Sequence, residues 1–164
     1  MKNLRPIPAS ALLVVIVIFS ILGCKNTCQN PLEYNEKLMA AINENVPDME
    51  AMNEAMTSAD YSKAEKVRQN WIIHLNSTLT KVTDMGDFNG DDDFQSTVIK
   101  VLKDYKEVAA HEYKRLIVIR KQGHQEAKET LLLNQINSTL VQQHNAIEKA
   151  AATFRAMYEG QEAK

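Results

Sequence analysis

The chain has little of what loop-rich or cross-linked folds require. Five glycines and four prolines in 164 residues are too few for a β-sandwich stitched by tight turns, or for a low-complexity linker protein. Two cysteines exclude a disulfide framework. An excess of positive charge is also missing. Met1 to Gly23 hold Lys2, Arg5 and no acid, so the other 17 Lys and Arg face all 21 Asp and Glu, a net of −4. So weakly acidic a domain is a poor match for polyanions, and no nucleic-acid partner is expected. Catalytic motifs are absent as well: there is no Gly-x-Ser-x-Gly, no His-Glu-x-x-His, no glycine-rich phosphate loop, and no cysteine partnered by a local histidine. Neither enzymatic activity nor a cofactor is therefore expected. What the chain does have is 45% apolar residues, too many for a disordered polymer.

The apolar residues begin with a near-continuous run. Ala9 to Leu22 is fourteen residues long, enough for the apolar core of a signal segment but short of the roughly 20 needed to span a bilayer. Lys2 and Arg5 precede it, as the positive-inside preference requires. Directly behind it, Ile21-Leu22-Gly23-Cys24 resembles the bacterial lipobox. That resemblance implies removal of residues 1–23 and lipidation of Cys24 as the new N-terminus, giving a multiple-chain anchor to the membrane. An ordinary secretory signal followed by a chance cysteine, or an uncleaved short anchor, is the alternative. Cys28 follows the polar Lys25-Asn26-Thr27 and is read as a leftover thiol. The resemblance to lipoprotein sorting in two-membrane bacteria favours the outer membrane, because Lys25 replaces the aspartate that retains proteins at the inner one. Residues 24–29 form a short tether of at most ~20 Å.

Beyond the tether the periodicity is helical throughout, and no stretch alternates with period two. Asn30-Pro31-Leu32-Glu33 combines an N-cap, a first-turn proline and a capping-box glutamate. Leu38, Ile42, Val46, Met49, Met52 and Met56 follow as one apolar stripe, interrupted at Pro47, where a kink or a restart capped by Asn45 is expected. A second stripe runs from Tyr61 to Met85 and ends at Gly86, with Ser58, Asp60 or Ser62 as its cap. A third runs from Phe94 through Val98, Val101, Tyr105, Val108, Glu112 and Leu116 to Ile119, ending at Gly123. A fourth runs from Leu132 through Ile136, Leu140, Gln143, Ile147, Ala150 and Phe154 to Met157, ending at Gly160. These elements predict an all-α, antiparallel up-down-up-down four-helix bundle over residues 30–160, with a disordered tail at 161–164.

Few residues in this pattern suggest chemistry. Glu107 with His111, and His144 with Glu148, have i,i+4 spacing and lie at different levels. They are read as surface pairs and not as a di-metal site. Asp87, Asn89 and Asp91 alternate like the start of an EF-hand loop, but the sixth position is Asp92 and the twelfth Val98, so they are weak calcium candidates. With turns near Ala59, Asn89 and Gly123, the residues Asn43, His74, Asp104 and Gln143 fall at one level as a candidate polar layer. It would fix register or contact a ligand; alternatively Gln143 alone is buried and the others face water. A hydrogen bond from Gln143 to one of the other three is the signature of the register role. The chain as a whole resembles biochemically uncharacterised helical lipoproteins of bacterial envelopes and surfaces. The Asn30 to Asn35 opening, the paired hairpins and the Phe88 to Phe94 acidic loop carry this likeness, which implies location and fold. Two functions remain open: a non-enzymatic module that contacts an envelope or extracellular macromolecule through a helix face, and a bundle that binds a small molecule or metal at the polar layer.

Overall fold

The computed structural model describes residues 30–123 and 125–158. The predicted signal segment, the tether with Cys24 and Cys28, Gly160 and the tail all lie outside the described residues. What is described is an all-helical four-helix bundle. Its elements are α1 (Pro31–Asn43), α2 (Val46–Thr57), α3 (Tyr61–Met85), α4 (Asp93–Glu107), a π-helical turn (Val108–Glu112), α5 (Tyr113–Lys121) and α6 (Glu126–Tyr158). The first rod is α1 with α2, and the third is α4 with α5 joined through the π turn. No strand forms among the described residues; Phe88 and Asp91 make one isolated bridge.

Caps explain most of the boundaries. Asn30 Oδ1 accepts from the Glu33 amide at 3.1 Å, with Pro31 in the first helical position. α3 is capped by Asp60, whose Oδ1 accepts from the Lys63 amide at 2.9 Å, and not by Ser62. α3 ends at Gly86, whose φ of +72° suits glycine. The loop after it turns through Asn89 and Gly90, both at positive φ (55° and 91°), while Phe88 and Asp91 exchange backbone hydrogen bonds of 2.8 and 3.0 Å. Two adjacent left-handed residues between paired neighbours form a type I′ turn, for which Asn-Gly is the preferred sequence.

Pro47 produces a restart. It has no amide hydrogen for the Asn43 carbonyl, and its ring crowds that oxygen. α1 therefore stops at Asn43, and Glu44 and Asn45 form a turn before α2. Asn45 occupies the cap position but makes no side-chain cap to α2. Its Nδ2 instead donates back to the carbonyls of Ala41 (3.1 Å) and Ile42 (3.4 Å), closing the end of α1. The turn also rotates the stripe, so Asn45 is fully buried while Val46, expected inside, is 43% exposed. Because the break is already bonded on both sides, Pro47→Ala should change stability by no more than ~0.5 kcal/mol in thermal unfolding. A gain approaching the ~3 kcal/mol interior penalty would mean that proline alone imposes the break.

The third rod departs from simple periodicity too. Its stripe continues past Val108 only through the π turn, which inserts one residue and brings Ala109, Tyr113 and Ile117 into the core. Glu112, expected on the stripe, is half-buried. In the fourth rod Met157, also expected inside, is 46% exposed, and Tyr158 packs on the core in its place.

α3 packs against α1 and α2 on one side and against α4 and α5 on the other; α6 contacts α4, α5 and α1. The core runs the length of the bundle through Leu38, Met52, Trp71, Leu75, Leu102 and Ile136, each at most 1% exposed. An aromatic cluster closes one end. Phe154 sits 5.5 Å from Tyr34, 4.9 Å from Phe88 and 5.4 Å from Phe94, measured between ring centroids. Two phenols tie that end to the acidic loop: Tyr34 donates to the Gly86 carbonyl at 2.8 Å, and Tyr158 to Asp91 at 2.6 Å. Arg120 clasps the opposite end. It binds Glu129 at 3.1 Å across the α5–α6 turn and donates to the Met56 carbonyl at 3.2 Å.

Candidate functional site

The bundle does not assemble the four predicted layer residues. Asn43 is exposed at the end of α1, because the restart places Asn45 inward in its stead. The His74 side chain is 61% exposed, and its Nδ1 lies 2.9 Å from Asp48 on α2, an inter-helix surface contact. Asp104 is half-buried and pairs with Lys100 at 2.6 Å on its own helix. Only Gln143 is buried, at 8% exposure. No hydrogen bond joins Gln143 to Asn43, His74 or Asp104, so the signature of a register layer is missing.

The three calcium candidates sit together in the loop, but two carboxylates are already engaged. Asp87 Oδ1 accepts from the Gly90 amide at 2.7 Å. Asp91 Oδ1 accepts from the Asp93 amide at 3.0 Å, and its other oxygen takes the Tyr158 hydroxyl. Asn89 is the exposed left-handed residue of the turn. The loop thus uses its acids to hold itself and the start of α4. Their field is felt locally. Burial, and then the charges of Asp87, Asp91 and Asp92, push the Tyr34 phenol up to about 12. Among the described residues no group of three or more His, Cys, Asp or Glu is placed to share a metal ion. Glu107 and His111 form a surface contact at 3.1 Å.

Several polar residues were not singled out by sequence reasoning and prove to be buried. Arg68 is 8% exposed. It binds Glu65 through two nitrogens, at 2.8 and 2.6 Å, and extends Nη1 to the Ala109 carbonyl of the π turn at 3.4 Å. That bidentate pairing holds the Glu65 carboxyl down to about 2. The Glu65–Arg68 spacing of three was a visible signal for an intrahelical pair; the partner carbonyl on another helix was not. Gln95 donates to the Val82 carbonyl at 2.7 Å, linking α4 to α3. Each of these groups is committed to holding helices together, so none is free to act on a ligand.

Concave features of about 230 Å³ beside Glu44, His74 and Lys81 and about 130 Å³ beside Tyr34 and Met85 lie away from α6 and have less apolar lining than the two that flank it. The larger of these two, about 380 Å³, lies between α4 and the C-terminal half of α6. Phe94, Phe154, Ala146 and Ala150 floor it, with Asp93 and Lys149 on its rim. Ala146 and Ala150 lie one turn apart on the same face, so the floor is shallow where two helix backbones run side by side. The smaller, about 110 Å³, lies between α5 and the start of α6, with Ile119, Leu131 and Leu132 bordered by Arg115 and Lys128. Leu131 is 62% exposed and Val118 of α5 45%. Neither groove holds a nucleophile beside a base. Both are shaped to receive side chains. No described helix is long and apolar enough to cross a membrane.

No protein-family model, curated protein or solved structure matches the chain.

Proposed function

We propose that the protein is a lipid-anchored module of a bacterial cell envelope that contacts another macromolecule non-enzymatically through the two flanks of α6. The observation that carries this reading is the pair of open grooves along one helix, each with an apolar floor and a charged rim. Amphipathic segments are recognised by grooves of this kind. Arg68 and Gln95, buried elsewhere in the bundle, are engaged in holding helices together.

The anchor belongs to the same proposal. Cys24 in Ile21-Leu22-Gly23-Cys24 would carry the lipid, with the outer membrane as its destination. Six residues of tether reach at most ~20 Å. α1 starts at the aromatic end, where Tyr34 meets Gly86, so that end would sit near the lipid. The contacts at the two ends support an up-down-up-down order. α6, of 33 residues, extends ~50 Å, so the Arg120 end would project away from the membrane.

Two measurements test the reading. Cys24→Ser should abolish labelling by radioactive palmitate in cells and leave an unprocessed precursor; normal processing and detergent partitioning of that variant would refute the anchor. A photo-crosslinking residue at Thr97 or Thr153 should capture one discrete protein in whole cells, whereas the same residue at the exposed Lys66 of α3 should not. Equal capture from all three positions would remove α6 as the contact surface. Binding of a small molecule or metal remains the second class, and native mass spectrometry of the purified protein with a retained ligand would favour it.

A further inference from the structure

We propose that the α5–α6 groove docks an acidic amphipathic helix of a partner protein, with one branched aliphatic side chain in the pocket and carboxylates on Arg115 and Lys128. This rests on the reading that the flanks of α6 are contact surfaces, and it names the chemistry of the partner at one of them.

The argument begins with charge. The chain is weakly acidic, yet Tyr113–Lys121 carries Lys114, Arg115, Arg120 and Lys121 with no acid. The acids of the loop, Asp87 and Asp91 to Asp93, lie at the opposite end of the bundle. Six of the fifteen described Lys and Arg residues form ion pairs, among them Lys81 with Glu44 at 2.8 Å, Lys63 with Glu54 at 2.9 Å and Arg120 with Glu129 at 3.1 Å. Among the described residues the side chains of Arg115 and Lys128 make no hydrogen bond or ion pair, and both border an apolar depression. A cation left unpaired beside exposed aliphatic surface suits a ligand that is acidic and aliphatic together.

Geometry narrows the occupant. On α5 the residues Arg115, Val118, Ile119 and Gln122 share one face at i, i+3, i+4 and i+7. On α6 Lys128, Leu131, Leu132 and Gln135 repeat the same pattern of a base, two aliphatics and an amide. The helices run antiparallel about the turn at Gly123, so the two cations stand at opposite corners of the apolar strip. Their offset along the axis is on the order of 6 to 9 Å, one to two helical turns. A partner helix with acids one or two turns apart and leucine between them matches both cations at once. The pocket of about 110 Å³ accepts a single aliphatic side chain, and is too small for a lipid acyl chain.

The test uses the full-length lipidated protein in nanodiscs of neutral lipid and a fluorescent helical peptide with glutamates at i and i+7 around a Leu-Leu pair. Saturable binding is expected, weakened about tenfold or more by Arg115→Glu and by Lys128→Glu, each of which should melt like the wild type because both side chains are exposed. Raising salt from about 50 to about 300 mM should also weaken it, and replacing the glutamates by glutamine should abolish it. Absence of saturable binding, or equal affinity in the charge-reversed variants, overturns the proposal. So does binding to phosphatidylglycerol vesicles that is lost in the same variants, which would make the occupant a membrane. Self-association lost in those variants would make it a second copy. If the peptide fails while crosslinks still form at Thr97 and Thr153, the module reading stands and this pairing falls.

Discussion

Phe154→Ala is expected to lower the unfolding free energy by about 3–5 kcal/mol, the largest single effect in this protein. Phe154 is 3% exposed and is the ring that the others share. Besides Tyr34, Phe88 and Phe94, it meets Tyr158 at 5.0 Å. These partners come from α1, the acidic loop, α4 and the last turn of α6, so a cavity here loosens every element at that end. Aromatic pairs add about 0.5–1.5 kcal/mol each beyond buried area, and alanine forfeits all of them together. For a bundle of this size the melting temperature should fall by roughly 10–20 °C. Phe154→Leu keeps most of the volume and should lose less than half as much. Because Phe154 also floors the larger groove, a crosslink at Thr153 should weaken in the leucine variant even where the fold survives. A melting temperature within about 3 °C of the wild type for the alanine variant would show that the cluster is not a structural hub.

The same cluster illustrates what the sequence made legible. Phe94 and Phe154 were placed on their stripes, because period 3.6 with apolar residues every third or fourth position is a strong signal, whereas Tyr34 and Tyr158 were not. The second rod was legible almost completely: Ala64, Trp71, Leu75, Thr78 and Val82 are all buried, as their spacing required. Two local events were not legible. The π turn at Val108–Glu112 has no residue signature, since it depends on how α5 settles against α3 and α6. The direction of the Asn45 side chain depends on which carbonyls the broken helix leaves open, and that is settled only when α1 and α2 bend apart. Both events rotate side chains, and they explain two of the misplaced residues. Val46 turned outward at the break before α2, and Glu112 left the stripe centre in the π turn.

The candidate layer failed for a related reason. Counting residues from the turns gives the level along a helix but says little about angle around it. His74 lies one residue from the buried Leu75, about 100° away, and that places it on Asp48 at the surface. Gln143 was recognised as inward because it lies on the stripe itself. The grooves beside α6 were invisible for a third reason: a concavity belongs to two helices, and neither sequence segment holds it alone.

Arg68→Ala is expected to cost about 2–3 kcal/mol, less than the ~3–5 of a fully buried pair, since Glu65 keeps 32% of its side chain in water. Removing the guanidinium leaves the Glu65 carboxylate half-sheltered with no cation and takes the donor from the Ala109 carbonyl inside the π turn. Replacing both members, Arg68→Met with Glu65→Gln, should recover most of that loss, because the carboxylate left unpaired is the costly part. The pair also sets a pH dependence. The Glu65 carboxyl falls from its ordinary 4.5 to about 2 in the folded protein. Its stabilising share is therefore present above pH 4.5 and lost progressively as pH drops toward 2. In the double variant the acid limb of a stability–pH profile should be flatter across that window, and in Arg68→Ala alone it should flatten as well, since the depressed value needs the guanidinium. Denaturant unfolding of the three proteins between pH 7 and pH 2 measures both effects. If Arg68→Ala and the double variant are equally unstable at pH 7, the loss lies in the donor withdrawn from the Ala109 carbonyl and not in the unpaired carboxylate, since methionine refills the space of the arginine stem.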